Sequence, residues 1–286
     1  MNAPAFNLTL EQTVDKVRDL PSLPTVVVQL IRTFDQPDAG VSELAAQISK
    51  DQALAAKTLR LANSSFYGLQ SKVRTIDQAI TVLGFDSVRA LVTAAGIVAQ
   101  FGGAAGGPFD FQAFWRHSIG SALCAKSIAR LAGCNQDYAF VSGLLHDIGR
   151  LVLVTRFPDH YTAELDRQRA DDCELLHAER AVLGLDHALV GRALAQHWKF
   201  PGLIQRSIGH HHAPMRDDFG DIPSVVHAAN AIVHALDLGG EPDEPVPPLS
   251  QAAWDSLGID AAGLRRVFAE TEAEFENACQ ILAAGE

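Results

Sequence analysis

Seven side chains between residues 117 and 212 could together bind a divalent transition metal. Neutral imidazole nitrogens and ionised carboxylates are donors that such metals prefer. The candidates are separated by stretches of about one helical hairpin each, and side chains from different helices of a bundle can meet in one interior site. They are His117, His146, Asp147, His187 and the consecutive His210, His211 and His212.

Asp147 is the most informative of these residues, because it follows the apolar stretch 141–145. A carboxylate buried there without a partner would be destabilising by several kcal/mol, so a metal, another cation or hydrogen bonds must compensate its charge. A simpler interpretation is that Asp147 caps the following helix or pairs with Arg150, while the histidines are ordinary packed residues. The spacing alone leaves both interpretations open.

The other histidines are expected to be solvated or structural rather than ligands. Motifs of other chemistries are absent: the sequence has no GxxxxGK[ST] phosphate loop, no strand-borne GxGxxG and no GxSxG nucleophile elbow. We therefore assign no catalytic residue and no organic cofactor. The histidines left out of the candidate site are His160, His177, His197, His227 and His234.

The elements that must position these side chains are predicted to be helices. Apolar residues recur at three- and four-residue spacings, and no apolar–polar alternation competes with them. Asp51 is placed to cap a helix that runs through Leu54 and Leu61 and ends near residues 63–65. Pro24, together with Pro21, predicts the start of another helix. The fold class is therefore all-α.

Two breaks in composition divide the chain. The glycine-rich run 102–107 is too flexible for a packed helix, and the proline-rich, acidic run 239–248 reads as an extended linker. These breaks predict an N-terminal helical subdomain at 13–101, a helical bundle at 109–236 and a C-terminal helical extension at 249–283.

Composition limits the function classes. The 286 residues are 48% hydrophobic and carry a formal charge of −11, which favours a globular protein and disfavours nucleic acid as a partner. Four scattered cysteines are expected to be reduced thiols. The N-terminus lacks signal-peptide features, and the apolar stretch 90–101 is too short to span a bilayer of about 30 Å. We expect a cytoplasmic protein that does not partner a membrane.

Over about residues 13–236 the chain resembles the HDOD domain proteins of bacterial signalling, which are relatives of the HD and HD-GYP phosphohydrolases. The resemblance rests on motifs in both halves of the chain. In the first half these include 20–24, 51–54, 59–64 and 83–85, and in the second half 114–118, 143–149, 186–187, 198–201 and 211–214.

This resemblance implies a small N-terminal helical subdomain packed on an HD-like bundle. It also implies metal ligands: His117, His146, Asp147 and His187 match positions of a two-metal site, and His211 and His212 match its histidine pair, although His210 leaves that register open.

Three positions depart from the catalytic relatives. Asn230 stands where they have a final carboxylate, Arg150 stands where they have a lysine, and the glycine-tyrosine-proline signature is absent. A neutral amide oxygen binds a cation more weakly than a carboxylate does. One divalent ion, such as iron, manganese or zinc, is therefore easier to support than two.

The resemblance and its departures favour a regulatory module that contacts signalling proteins in trans and lacks catalysis. The alternative is a metal-dependent phosphohydrolase acting on a nucleotide or cyclic dinucleotide, and in a third interpretation the ion is structural or sensing. A small nucleotide is a further candidate ligand. The sequence gives no oligomeric state.

Overall fold

The computed structural model describes residues 8–18, 23–34, 41–63, 72–101, 109–215, 222–240 and 245–282. Within these ranges every regular element is a helix, which confirms the all-α prediction. The helices are α1 (Leu10–Arg18), α2 (Thr25–Arg32), α3 (Val41–Lys50), α4 (Gln52–Ala62), α5 (Ile76–Leu83), α6 (Phe85–Phe101), α7 (Phe111–Ala132), α8 (Gln136–Leu145), α9 (Ile148–Arg156), α10 (Pro158–Asp171), α11 (Leu175–Leu183), α12 (His187–His197), α13 (Gly202–His210), α14 (Ile222–Ala235), α15 (Gln251–Ser256) and α16 (Ala261–Leu282).

The N-terminal helices begin where their capping residues predict. The Leu54 amide donates to Asp51 Oδ1 at 3.1 Å, so Asp51 caps α4 as expected. α2 begins directly after Pro24. Helices α2 to α5 pack on one another and on α6, which also packs on α8. Pro21, the other proline on which this prediction rested, lies outside the described residues.

The long helix α7 is the centre of the bundle. Asp110 caps its N-terminus by accepting from the Gln112 and Ala113 amides, both at 2.9 Å. Gly133 ends it with φ +72°, a left-handed conformation that glycine adopts without strain. α8, α14 and α16 pack against α7. The candidate ligand His117 therefore lies in a helix against which three other helices pack.

A second close contact joins α9 to α12. A Cβ atom at Gly149 would overlap the backbone carbonyl of His187 and would lie 2.7 Å from the Gly191 nitrogen. Only glycine permits this approach, since no neighbouring side chain could move aside. The contact brings Asp147, just before α9, next to His187, the first residue of α12.

The first and last described helices pack onto the bundle. α1 lies against α12, and the Leu8 amide donates to the Leu183 carbonyl at 2.8 Å. At the other end α16 packs on α7 and also contacts α4 and α6. The glycine run 102–107 lies outside the described residues, so the subdomain boundaries remain a prediction.

One apolar helical stretch among the described residues, Gln136–Arg156, has the length and composition to cross a membrane. Its apolar window is 83% buried inside the protein. Such burial is what a core helix of a soluble protein shows. No disulfide joins the four cysteines, in agreement with the prediction of reduced thiols.

Candidate metal centre

Asp147 and three histidines meet at one point inside the bundle. Asp147 Oδ1 lies 3.3 Å from His187 Nε2 and 3.2 Å from His211 Nε2. His212 Nε2 is 2.8 Å from His187 Nε2. Asp147, His187 and His211 are almost fully buried. Four potential donor atoms thus face a common centre, as the sequence pattern predicted.

A second group of candidate ligands also includes Asp147. His117 Nε2 lies 3.2 Å from His146 Nε2, which is 3.4 Å from Asp147 Oδ1. The candidate ligand atoms of these three residues all lie within 4.8 Å of one another. His117 comes from the middle of α7, whereas His146 and Asp147 form the turn between α8 and α9. The six candidate residues named by the resemblance are therefore all brought together.

The alternative role for Asp147, a helix cap, does not account for its side chain. Asp147 occupies the N-cap position of α9 but makes no side-chain cap hydrogen bond. Arg150 Nη1 is 3.6 Å from Asp147 Oδ2, too long for a good hydrogen bond. The other oxygen, Oδ1, is buried without a hydrogen-bond partner. This oxygen is the one that faces the histidines.

Hydrogen bonds at Nδ1, the ring nitrogen that points away from the centre, orient the imidazoles. His146 Nδ1 donates to the Gly143 carbonyl at 2.7 Å, and His211 Nδ1 donates to the Ile208 carbonyl at 2.8 Å. A proton on Nδ1 leaves the lone pair on Nε2, which is the nitrogen facing the centre. This arrangement is common among metal-binding histidines.

His187 has a stronger partner, the buried carboxylate of Glu179. His187 Nδ1 lies 2.7 and 2.9 Å from the two carboxylate oxygens, and the His187 backbone amide donates to the same carboxylate at 2.9 Å. Glu179 is fully buried. A carboxylate behind a ligand histidine raises the basicity of the ring and fixes its orientation.

The protonation of these groups follows from burial and neighbouring charge. Burial alone would lower the pKa of His187, but the Glu179 and Asp147 carboxylates hold it well above its usual value. Burial lowers the pKa of His146 to about 4. Burial opposes ionisation of Asp147, yet the charges of His146 and His187 hold its pKa well below the usual range. Asp147 is therefore ionised and His146 neutral at pH 7.

The structure places the remaining histidines as follows. His210 is not part of the cluster, so the adjacent pair that faces the centre is His211 with His212. His177 and His197 are exposed, as expected. His234 lies closer to the cluster than expected, since its ring centroid is 4.4 Å from that of His117.

The segment after α14 covers the cluster. Pro245 and Pro247 line, together with Asp147 and His187, a cavity of only about 50 Å³. The Ser250 amide donates to His227 Nε2 at 2.9 Å, and His227 Nδ1 donates to the His211 carbonyl at 2.7 Å. We call residues 245–250 the covering segment.

These residues fit a divalent transition metal. Oriented imidazole nitrogens surround an ionised carboxylate oxygen, and a divalent cation bound there would replace the proton on His187 in compensating the carboxylate charge. His187, His211 and His212 would hold the ion with Asp147. Bound there, a divalent ion supplies a Lewis acid that can lower the pKa of water.

Comparison with known proteins agrees with this architecture. A sequence profile of the HDOD domain matches residues 20–214. A curated Treponema pallidum protein, uncharacterized, is 28% identical over 243 residues, which are 82% of this chain and 45% of that protein. The chain therefore spans less than half the length of the curated relative that it matches.

Three solved structures share the fold. An HDOD domain protein of unknown function from Geobacter sulfurreducens has a TM-score of 0.77 at 26% identity, covering 96% of this chain and 98% of that one. A Shewanella amazonensis protein, provisionally named a phosphohydrolase, has a TM-score of 0.77 at 30% identity, with 95% and 98% covered. A Marinobacter aquaeolei protein, provisionally named a signal transduction protein, has a TM-score of 0.76 at 23% identity, with 97% and 62% covered, and shows the fold alone.

Proposed function

We propose that this chain, which belongs to the HDOD domain family, is a metal-binding regulatory module of bacterial signal transduction that acts in the cytoplasm through contacts with other proteins and without catalysis. Asp147, His187, His211 and His212 would hold one divalent ion, such as iron, manganese or zinc. The ion would keep the bundle in one conformation, and signalling proteins in trans would recognise that conformation.

The observation that carries this proposal is the small size of the cavity at the cluster. Its volume is about 50 Å³, whereas pockets for drug-sized ligands typically measure about 300–1,000 Å³. An ion with a water molecule fits such a space, but a nucleotide does not. The small volume, together with Asn230 in place of a carboxylate, argues against turnover of a bulky phosphoester.

A larger cleft lies away from the cluster, where α5, α7, α8 and α16 meet. It has a volume of about 670 Å³, and its lining includes Lys126, Arg130 and Arg266. None of its lining residues is a candidate metal ligand. The described surface thus offers a site for other molecules that does not require access to the metal centre.

The second candidate function is a metal-dependent phosphohydrolase acting on a nucleotide or cyclic dinucleotide. Arg150 favours it, since this guanidinium lines the cavity beside Asp147, and arginine binds phosphate oxygens well. For this activity the covering segment would have to move.

Metal analysis and an activity screen on one set of proteins separate the two functions. Untagged wild-type protein is expected to carry bound metal, Asp147→Ala and His187→Ala are expected to lose it, and His177→Ala, altered at an exposed histidine, is expected to keep it. Hydrolysis of a cyclic dinucleotide at enzyme-like rates by metal-loaded protein, abolished in Asp147→Ala, would establish the hydrolase instead. Wild-type protein without bound metal would contradict both functions.

A further inference from the structure

We propose that the cleft where α5, α7, α8 and α16 meet binds a small organic anion with an aliphatic body, whose acidic group contacts Arg130 and Arg266. A carboxylic acid with a hydrocarbon chain is the simplest member of this class. The inference goes beyond the proposed function, because binding in the cleft requires neither the metal nor a partner protein.

The cleft has the size and the apolar walls of a ligand site. Its volume of about 670 Å³ lies within the range of about 300–1,000 Å³ that is typical for small-molecule sites. Leu83 from α5, Leu123 from α7 and Ala269 from α16 contribute to the lining. Val82 also lines the cleft and is 53% exposed, so a hydrocarbon chain bound there would bury apolar surface that now contacts water.

The polar part of the lining is arranged around the carboxylate of Glu270. This carboxylate accepts hydrogen bonds from Ser127 Oγ at 2.6 Å and from Arg266 Nε at 2.9 Å, and it also pairs with Arg130. Burial opposes its ionisation, but these donors lower the pKa of Glu270 to about 2. Two guanidinium groups therefore share one ionised carboxylate, and the group carries a positive charge in excess. A guanidinium has several N–H donors, so each arginine keeps donors for a second anion.

Lys126 adds a second cation to the same side of the cleft. It lies four residues before Arg130, so both side chains share one face of α7, and both line the cleft. Burial lowers the pKa of Lys126 to about 8, and the charge of Asp137 opposes this effect only in part. A bound anion would stabilise the ammonium form that burial disfavours.

The acidic residues of the lining limit where the anion can lie. Asp137 interacts with Lys126, and Glu270 is held by the arginines. Glu274 lines the cleft one turn beyond Glu270 and would repel an anion placed beside it. The acidic group of the ligand is therefore expected at Arg130 and Arg266, with its hydrocarbon chain along the apolar walls.

The lining favours an aliphatic ligand over a nucleotide. In the part of the chain that the structure describes, no aromatic side chain lines the cleft. Proteins that bind nucleobases commonly stack them on aromatic rings. Aliphatic walls instead gain free energy from each methylene group that they bury, so the affinity for an aliphatic acid should rise with its chain length.

Isothermal titration calorimetry of metal-free protein tests the inference, since removing the metal prevents a carboxylate from binding at the metal centre. Decanoate is expected to bind saturably, with one molecule per chain. Octanoate should bind about four- to sixteenfold more weakly, because each half-buried or fully buried methylene contributes about two- to fourfold. Decyltrimethylammonium, which has the same chain with a cationic head, and adenosine monophosphate should both bind more weakly than decanoate by about tenfold or more.

Two variants and a matched control locate the binding. Arg266→Gln should weaken decanoate binding about tenfold, because it removes a charged donor. The control is Arg167→Gln, because Arg167 is 52% exposed and pairs with a carboxylate one turn along its helix, as the 59% exposed Arg266 does. It should bind decanoate as wild type does. Ala269→Phe, at an exposed position of α16, should abolish binding because its ring occupies the cleft.

Circular dichroism melts identify a variant that fails to fold, in which case Ala273→Phe, also at an exposed position in the lining, replaces Ala269→Phe. The inference is overturned by any of three results: no saturable binding of decanoate, equal binding of the cationic analogue, or unchanged binding in both Arg266→Gln and a folded phenylalanine variant. Adenosine monophosphate that binds more tightly than decanoate, and is lost in the same variants, would overturn the aliphatic class in favour of a nucleotide.

Discussion

Replacing Glu179 with glutamine should weaken metal binding without touching a proposed ligand. The carboxylate accepts from the His187 ring and from the His187 backbone amide, and both side chains are buried. Loss of such a partner behind a ligand histidine typically reduces metal affinity 10–100-fold. In free energy this is about 1.4 to 2.8 kcal/mol.

The pH dependence of this loss makes the test specific. Because Glu179 and Asp147 raise the pKa of His187, the metal-free wild type carries a proton there at pH 7, and metal binding must release it. Glu179→Gln lowers that pKa, so the variant releases fewer protons. At low pH, competition from protons therefore weakens metal binding mainly in the wild type. The metal affinity lost through Glu179→Gln should then be larger at pH 8 than at pH 6.

Calorimetric titration in two buffers of different ionisation enthalpy measures affinity and proton release together. Glu272→Gln, at an exposed position on α16, is the matched control and should behave as wild type. The reasoning is refuted if Glu179→Gln binds metal within threefold of wild type at both pH values and releases the same number of protons.

Two further predictions concern stability. Gly149→Ala should destabilise the fold by about 1–3 kcal/mol or more, because the added methyl group must push α9 away from α12. It should also reduce metal affinity, since Asp147 directly precedes α9. Chemical denaturation measures the first effect and zinc titration the second, and unchanged values in both would disprove the close contact. The lowered pKa of His146, about 4 when folded and about 6.5 when unfolded, should remove about 3 kcal/mol of stability from the metal-free protein as pH falls from 6.5 to 4, because the unfolded chain binds the proton first. The lowered pKa values of His117 and His212 act in the same direction and the raised pKa of Glu164 in the opposite one, so this contribution is measured as the difference between the denaturation curves of wild type and His146→Gln at several pH values. A difference that does not change between pH 6.5 and pH 4 would contradict the assignment.

The residue spacing indicated that these side chains could meet, and the family resemblance named the six candidate ligands that the structure brings together. Asp147 follows an apolar stretch and is flanked by His146, and the other histidines stand at hairpin spacings that a helical bundle converts into proximity. The helix cap at Asp51 was predictable from the sequence because it involves only the Leu54 amide, one turn further along the chain.

Residues that orient a candidate ligand, or that contact the cluster from distant parts of the chain, were harder to predict. Glu179 was missed, although one signal was present: it lies on α11 among the buried Leu176, Ala178 and Leu183, where a carboxylate requires a partner. His234 was expected to be solvated or structural, and its ring contact with His117 depends on the packing of α14 against α7. The covering segment had no local signal, because the Ser250–His227 contact joins residues that are distant along the chain.

The clustered donors come from α7, the α8–α9 turn, the start of α12 and the residues after α13, so no short fragment of the unfolded chain reproduces the cluster. An ion held by these residues binds the native state and is released on unfolding. At a thousandfold excess over its dissociation constant, such a ligand shifts the folding equilibrium by about 4 kcal/mol. Resistance to proteolysis, and with it the abundance of the protein in a cell, would then follow the supply of the ion.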